Sequence, residues 1–425
     1  MSFAVLCADI GTSSLKAALI TDCGVILRST TERFNKKLGS NCWLEAFSQA
    51  CSYLIKKILY NREELPEIKA ICISGNGPSI ANSGGSFLWN EPYVPGEAAE
   101  DIVKLQPGFS IFIPRILHVK HYKPEMWNIN ELLYSIPEYV VYQLTGTSQT
   151  ILPDPRYENA YWTADDLRIF GIPETKLAPL TKLGTSAGKI KPEMAAKIGL
   201  PDGMAPEVFC GGPDFTIALI GTNTLSEGKI CDRAGTSEGI NLCTKKPLKA
   251  DSLRTLPSPV YPLWNASVLI PDSGYRFSTW KHENLYADIP NEECTRYILE
   301  HPDCSGYALL IKIAFEVRNA YKVLFKAASE EKINLPSVIY STGGQARNRL
   351  WMQMKSDIIG LPFVVTSCPD SELTGNLVVA LYGLGEYKSI QEAADAVIMD
   401  DITYYPDKKR QTAYAEAYKE LFIQE

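Results

Sequence analysis

The sequence lacks the features that mark several protein classes. Its 425 residues include only four histidines, and none of its eleven cysteines forms a Cys-x-x-Cys pair, so no zinc site is predicted. No apolar run is long enough to span a membrane, and no basic segment with a long hydrophobic stretch opens the chain. The net charge of −7 disfavours general nucleic-acid binding. We therefore expect a cytoplasmic protein with free thiols that binds neither nucleic acid nor membrane.

The length and an internal repeat indicate two domains. A chain of 425 residues, 45% of them hydrophobic, exceeds one ordinary core. A strand, a Gly-Thr-Ser turn and a second strand occur twice, first around Gly11-Thr12-Ser13 and again around Gly235-Thr236-Ser237. Two such hairpins more than two hundred residues apart predict two α/β domains of related design.

The first of these turns is a candidate phosphate site. It connects the predicted strands Phe3–Ala8 and Leu15–Ile20 and follows Asp9. Backbone N–H groups and hydroxyls of such a turn can face a phosphate, Asp9 can hold Mg²⁺ through water, and Lys16 adds positive charge. The alternative is an ordinary hairpin turn with a capping aspartate. The second Gly-Thr-Ser turn favours the phosphate hypothesis, because two such loops can hold one nucleotide.

Asp214 follows Gly211-Gly212-Pro213 and precedes the predicted apolar helix Phe215–Gly221. One interpretation is a general base that takes a proton from a substrate hydroxyl, with glycines that allow ligands close to the backbone. The other is an N-cap aspartate, which is the commoner use of Asp at a helix start. The local sequence leaves both open.

Gly343-Gly344 and Asn348 lie between a predicted strand and a predicted helix. Glycines at this position allow an adenine ring or ribose to lie against the chain, and a helix N-terminus favours phosphate. A plain strand-to-helix turn is the alternative. No Walker-type Gly-x-x-x-x-Gly-Lys-[Ser/Thr] occurs, so a P-loop kinase is excluded.

In this order the segments resemble the FGGY carbohydrate kinase family of the actin-like ATPase superfamily. AVLCADIGTSSLKAALITDCGVIL and AGTSEGIN are similar to its two phosphate motifs, and VFCGGPDFTIALIG to its catalytic-aspartate segment. STGGQARNRLWMQMKSDIIGLPFVV and ELTGNLVVALYGLGEY resemble the adenosine segment and the helix after it. ICISGNGPSIA and FLWNEPYVPGEAAE resemble the stretch with which xylulose kinases contact the sugar.

The resemblance implies a fold and an activity. The fold would be α/β, with two actin-like (ribonuclease H-like) domains and a central cleft. Residues 1–223 would bind sugar and phosphate, and residues 224–425 would bind the nucleotide. The activity would be ATP-dependent and Mg²⁺-dependent phosphorylation of a sugar or polyol hydroxyl, with a pentulose such as xylulose as the first candidate. The oligomeric state stays open, with a homodimer as one alternative.

The resemblance also assigns roles to residues of this chain. It makes Asp214 the base and Asp9 the carboxylate associated with magnesium. The residues implied at the nucleotide phosphates are Thr12, Ser13, Ser14, Lys16, Gly235 and Thr236. Those implied at the adenosine are Gly343, Gly344 and Asn348, with Gly274 as a looser match. Those implied at the sugar, beside Asp214, are Gly77, Pro78, Trp89, Asn90 and Glu91.

The chain departs from the family pattern in three places. After Trp280 the usual Pro-Tyr-x-x-Gly-Glu-Arg stretch is missing, and Ile311-Lys312 replaces the usual Glu-Gly. Asn76, Gly77 and Pro78 stand where xylulose kinases have Gln, a variable residue and His. These changes motivate a competing hypothesis, a degenerate kinase that senses a sugar or nucleotide. Retention of Asp9, Asp214 and both turns favours the enzyme.

Overall fold

The computed structural model describes residues 3–61, 64–94, 96, 110–250 and 252–422. The end of the segment FLWNEPYVPGEAAE, residues 95 and 97–100, lies outside them. The chain divides into two compact units, Met1–Gly221 with Glu372–Val397 and Thr222–Ser371 with Ile398–Glu425. The sequence predicts one division after residue 223, whereas in this division residues 372–397 also belong to the first unit. Asn376 fixes them there by donating hydrogen bonds to the Ala8 carbonyl oxygen at 2.8 Å and the Ser74 hydroxyl at 2.9 Å.

A six-stranded sheet in the order β3-β2-β1-β4-β10-β9 forms the centre of the first unit. β1, β4 and β10 are parallel neighbours. All seven residues of β1 are buried, as expected for a parallel strand covered on both faces. The strands of this unit are β1 Ala4–Ile10, β2 Ser14–Thr21, β3 Ile26–Arg33, β4 Ile68–Gly75, β5 Ile80–Asn82, β6 Gly85–Phe87, β7 Thr150–Leu152, β8 Leu180–Lys182, β9 Ser186–Lys189 and β10 Glu207–Pro213.

Helices surround this sheet, and several begin or end at recognisable signals. The helix Ile136–Thr145 begins at Ile136, because Pro137 suits the first turn and the Glu138 carboxylate accepts a hydrogen bond from the Ser135 N–H. The helices described are Cys42–Tyr60, Ile113–Tyr122, Pro124–Trp127, Ile136–Thr145, Glu158–Tyr161, Ala164–Ile169, Pro192–Lys197, Asp214–Gly221, Ser371–Gly383 and Ile390–Val397.

The second unit has a seven-stranded sheet in the order β13-β14-β12-β11-β15-β16-β17. β11, β15 and β16 are parallel neighbours, and β12 pairs with β11 in an antiparallel hairpin. The strands are β11 Ile230–Ala234, β12 Glu238–Thr244, β13 Arg254–Pro257, β14 Trp264–Ile270, β15 Ile339–Thr342, β16 Phe363–Thr366 and β17 Asp400–Tyr404. The helices are Ser273–Glu283, Asn291–Glu300, Ser305–Glu330, Arg349–Ile359 and Lys408–Phe422.

The two sheets follow one plan. In each, an antiparallel hairpin containing the Gly-Thr-Ser turn adjoins two further strands that run parallel to the first strand of the hairpin. All eleven cysteines are described and none is disulfide-bonded. Among the described residues, no helix combines the length and apolar character needed to cross a bilayer.

Candidate active site

The parallel strands of the first unit bring its candidate residues to one edge of the sheet. Asp9 lies at the end of β1 and Asp214 directly follows β10, while β4 lies between these two strands. Because the carboxyl ends of parallel strands meet at the same edge, residues far apart in sequence become neighbours there. The negative charge of Asp214 acts on Asp9 and raises its pKa, which is consistent with this placement.

Asp9 is a buried carboxyl group in an acidic environment. It is 6% exposed and accepts a hydrogen bond from the Ser74 hydroxyl at 2.8 Å. Burial first, and then the charges of Glu372 and Asp214, raise the pKa of Asp9 to about 8 against the opposing effects of Ser74 and Lys16. Lys16 is its partner across the β1–β2 hairpin. At neutral pH the protonated form of Asp9 is therefore favoured, and a nearby positive charge would favour the ionised form.

The donor set at Asp9 fits one type of metal ion. Within the described ranges, no three His, Cys, Asp or Glu side chains are placed to form a metal cage. Mg²⁺ commonly binds through one or two carboxylates and takes its other ligands from water and substrate phosphates. A buried carboxyl with a raised pKa and a single hydroxyl donor fits such an ion, so Asp9 is suited to magnesium in the presence of a nucleotide.

Asp214 is the first residue of the helix Asp214–Gly221. Its side chain is only partly buried, whereas residues 216–221 are buried. Its carboxylate gains from the partial positive charge of the helix N-terminus. An accessible carboxylate at a strand-to-helix junction can accept a proton from a bound hydroxyl, and the same position would satisfy the capping hypothesis.

The segment predicted to contact sugar touches the first predicted phosphate turn. The Trp89 indole N–H donates to the Thr12 hydroxyl at 3.2 Å, and the Trp89 backbone N–H donates to the Ser79 hydroxyl at 3.0 Å. Ser79 in turn donates to the Asn76 side-chain oxygen at 3.2 Å. A continuous set of hydrogen bonds therefore connects the loop after β4, which contains Gly77 and Pro78, with Thr12. The hydroxyl-bearing residues Thr12 and Ser13 are themselves exposed.

Glu91 and Arg115 hold this segment in place. The Glu91 carboxylate accepts a hydrogen bond from the Leu88 N–H at 2.9 Å and lies 3.6 Å from the Lys123 ammonium. The buried Arg115 guanidinium donates to the carbonyl oxygens of Leu88 and Trp89. Glu91 thus has an internal role besides the predicted contact with substrate, while its neighbour in the chain, residue 90, is exposed. Sequence reasoning missed Arg115, because its partners are backbone atoms distant in the chain.

The second unit contains a cavity of ≈ 400 Å³. This volume is in the range of small-molecule and cofactor sites. Five residues predicted to bind nucleotide are on its wall, namely Gly235, Thr236, Gly274, Gly344 and Asn348. The wall also includes residues that the sequence did not single out, namely Ser273, Tyr275, Phe277, Ser278, Asn291, Thr295, Leu310, Ile313, Gln345 and Trp351.

Close backbone packing explains two glycines near this cavity. A Cβ on Gly274 would collide with the carbonyl oxygen of Gly235. Gly343 has φ +93° and lies against the Ala234 carbonyl, although it does not belong to the cavity wall. The Gln345 side chain donates to the Gly235 carbonyl oxygen at 3.0 Å and accepts a hydrogen bond from the Trp351 indole at 2.8 Å. Gly274 and Gln345 therefore both contact the second Gly-Thr-Ser turn at the carbonyl oxygen of Gly235.

Asn348 lines the cavity, but both ends of its amide contact the protein. Its oxygen accepts a hydrogen bond from the Trp351 N–H at 3.2 Å, which caps the helix Arg349–Ile359. Its nitrogen donates to the Thr295 hydroxyl at 2.8 Å. Asn348 therefore shapes the wall of the cavity and connects it to the neighbouring helix.

Glu372 is a further acidic residue that sequence reasoning did not identify. It lies in the first turn of the helix Ser371–Gly383, is 4% exposed and raises the pKa of Asp9 through its charge. Its segment is more than 360 residues from Asp9 in the chain. This carboxylate reaches the site because residues 372–397 return to the first unit, so no local sequence pattern predicts its role.

The chain is similar to known proteins over nearly its whole length. Residues 304–384 match the C-terminal domain of the FGGY family of carbohydrate kinases. A xylulose kinase of Staphylococcus epidermidis is 24% identical over 486 residues, covering 97% of this chain and 95% of the relative.

Solved structures show the same fold. Plasmodium falciparum glycerol kinase with ADP has a TM-score of 0.77 at 16% identity, covering 100% of this chain and 98% of the other. Ligand-bound xylulose kinase from Lactobacillus acidophilus has a TM-score of 0.76 at 17% identity, covering 99% of this chain and 97% of the other.

These matches are to carbohydrate kinases, so this chain is similar to that class of protein. The resemblance to the FGGY family that the sequence motifs predict is confirmed, and the α/β fold with two actin-like domains is confirmed with it.

Proposed function

We propose that this chain transfers the γ-phosphoryl group of ATP to a hydroxyl of a sugar or polyol, with a pentulose such as xylulose as the first substrate to test. The observation that carries the proposal is the arrangement of β1, β4 and β10, whose carboxyl ends bring Asp9, the loop after β4 and Asp214 to one sheet edge. The similarity to xylulose kinases over almost the full length supports the choice of substrate.

In the proposed reaction Asp214 accepts the proton of the substrate hydroxyl. The hydroxyl oxygen forms a bond to the γ-phosphorus, the bond between that phosphorus and the bridging oxygen of ADP breaks, and ADP leaves with the electron pair. Such transfers need little covalent chemistry from the protein, which positions the groups and offsets charge. The partial exposure of Asp214 at a helix N-terminus suits this role.

Asp9 would hold the Mg²⁺ that accompanies ATP. When bound, the ion offsets the negative charge of the phosphates. Asp9 itself contributes a buried carboxylate whose ionisation becomes favourable beside a cation, because burial and the charges of Glu372 and Asp214 raise its pKa. Thr12, Ser13, Ser14 and Lys16 would contribute hydroxyl, backbone and ammonium donors to the phosphates.

The nucleoside part of ATP would occupy the cavity of the second unit. Its aromatic and aliphatic wall residues, Tyr275, Phe277 and Leu310, suit a purine ring. Gly235 and Thr236 lie on the same wall and would contact phosphate through backbone N–H groups and a hydroxyl.

A panel of ketoses, aldoses and polyols tests the proposal. The folded chain is incubated with ATP, Mg²⁺ and each compound, and ADP formation is measured together with direct binding of the compound. We expect ADP release that depends on at least one panel member, with xylulose tested first. Sugar binding without ADP formation by any compound would contradict the proposal.

That contrary outcome would support a second candidate, a sugar- or nucleotide-sensing protein. The observation that favours it is the internal use of Glu91 and of Asn348, two of the predicted ligand contacts. Binding of ADP with no turnover of any panel compound would be its expected behaviour.

A further inference from the structure

A buried cluster of charged groups lies behind the turn that joins β11 and β12. Asp232 is on β11 and Glu238 is the first residue of β12. Glu238 pairs with Ala234 across the hairpin, so Asp232, two residues earlier on β11, is its diagonal neighbour on the same face of the sheet. Only residues 235–237 separate Glu238 from the end of β11, so the cluster forms the base of the turn.

Lys355, from the helix Arg349–Ile359, connects both carboxyl groups. Its ammonium lies 2.8 Å from an oxygen of Asp232 and 2.5 Å from an oxygen of Glu238. The Tyr321 hydroxyl donates to the same Asp232 oxygen at 3.0 Å. The side chains of Asp232, Glu238 and Lys355 are all 0% exposed, so water does not screen them.

One positive charge faces two carboxyl groups in this cluster. The second oxygen of Asp232 and the second oxygen of Glu238 have no donor from any side chain or backbone group that the structure describes. A proton on Glu238 completes the arrangement, because it forms a hydrogen bond to Asp232 and makes the cluster neutral. Loss of that proton leaves one uncompensated negative charge in a dry environment, which is costly.

Burial and the adjacent charge of Asp232 raise the pKa of Glu238 to about 8, against the opposing effect of Lys355. Since this pKa lies above that of an ordinary glutamate, the group is protonated in the folded protein at neutral pH and ionises as the pH rises through about 8. Two charged groups face Glu238 directly, namely Asp232 on β11 and Lys355. Tyr321 acts on it through its hydrogen bond to Asp232. The residue paired with Glu238 on β14 is the apolar Ile270.

We propose that Glu238 is a positioning residue for nucleotide binding, whose proton keeps the buried Asp232–Glu238–Lys355 cluster neutral so that the turn at residues 235–237 accepts phosphate. This inference rests on the proposed function, which assigns the turn to the nucleotide. The turn is directly joined to Glu238, and its Gly235 N–H donates to the Ser237 carbonyl oxygen at 2.9 Å. Ionised Glu238 places a negative charge behind a site that binds an anion, and so opposes binding.

The test is the dissociation constant of ADP with Mg²⁺, measured by calorimetry on the full chain from pH 7.5 to 9.5. Above pH 7.5 the phosphates stay fully ionised, because their second pKa is about 6. The pKa of Asp9 is also raised to about 8, so Asp9 titrates across this range in every variant, and the readout is the ratio of the wild-type dissociation constant to that of Glu238→Gln. We expect this ratio to rise about tenfold across the range, because the variant carries no ionisable proton at this position. Glu227→Gln, which alters a surface ion pair with Lys245, is the control and should match the wild type.

Asp232→Asn is a second variant that tests the same charge balance if Glu238→Gln fails to fold. Without the charge of Asp232, ionised Glu238 and Lys355 form a neutral pair, so the ratio of the wild-type dissociation constant to that of Asp232→Asn should also rise about tenfold across this range. A purely structural role would not change the pH profile.

Two results would overturn the inference. They are the wild-type pH profile of ADP affinity in folded Glu238→Gln and the same profile in folded Asp232→Asn. These results are distinguishable from failure of the proposed function, since ADP binding is measured without sugar. A folded wild type that does not bind ADP at pH 7.5 would contradict the nucleotide assignment itself.

Discussion

The two units share one sheet plan but differ in where their acidic groups lie. In the first unit the strand ends carry Asp9 and Asp214, with Glu372 contributed by a later helix. In the second unit the turn after β11 and the loop after β15 carry glycines beside a cavity of ≈ 400 Å³. Its carboxyl groups at Asp232 and Glu238 are instead buried behind the turn.

This difference shows how one scaffold can support two kinds of chemistry. Carboxylates near the strand ends suit proton transfer and a metal ion, whereas glycines and apolar wall residues suit a nucleoside. The fold alone does not decide which of these a unit performs. We therefore expect substitutions at Asp214 and in the predicted sugar segment of the first unit to change catalysis, and substitutions around the cavity and the buried cluster of the second unit to change nucleotide binding and stability.

The largest effect on stability is expected from Lys355→Met in the second unit. The substitution leaves Asp232 and Glu238 buried without a cation, and breaking a buried ion pair in this way costs about 3–5 kcal/mol. Urea unfolding would measure the loss. Lys245→Met, at an exposed pair with Glu227, should cost less than about 1 kcal/mol. Equal losses in the two variants would contradict the importance of the buried cluster.

A large effect on nucleotide binding is expected from Gly274→Ala. The added methyl group meets the Gly235 carbonyl, and the shift it forces in the turn should weaken ADP binding about tenfold or more. Gly239→Ala is the matched control, because its Cβ would make only an ordinary contact at 3.6 Å with the Asn241 side chain. Calorimetry with ADP measures both. An unchanged ADP affinity in Gly274→Ala would show that the turn containing Gly235 does not contact the nucleotide.

Sequence patterns identified the residues that belong to local motifs. Asp9, Thr12 and Asp214 each lie where a strand ends in a polar or glycine-rich turn, so their positions follow from strand and turn signals alone. Their action on the substrate is a prediction that Asp214→Asn tests.

Other residues could not be predicted, because tertiary contacts place them. Glu372 reaches the first unit only through the return of its helix, and Arg115 contacts backbone oxygens 26 and 27 residues earlier in the chain. The buried cluster depends on Lys355, which is 117 residues from Glu238. Such contacts leave no periodicity or spacing in the sequence.

The smallest effect is expected from Trp89→Phe in the first unit. It removes the hydrogen bond from the indole N–H to the Thr12 hydroxyl and keeps an aromatic ring. Loss of one such bond costs about 0.5–1.5 kcal/mol, so kcat/KM for the sugar should fall about twofold to tenfold while ADP affinity stays constant. Trp127→Phe, in the same unit, is the control. A weaker ADP affinity without loss of kcat/KM would assign Trp89 to the nucleotide instead.

Asp214 in the first unit is the proposed base for phosphoryl transfer. The most direct measurement compares the wild type with Asp214→Asn in ATP-dependent phosphorylation of the substrate identified by the panel, together with ADP binding. We expect kcat to fall about 10²- to 10⁴-fold while the ADP dissociation constant changes less than about twofold. Turnover near the wild-type rate in folded Asp214→Asn would contradict this role of Asp214.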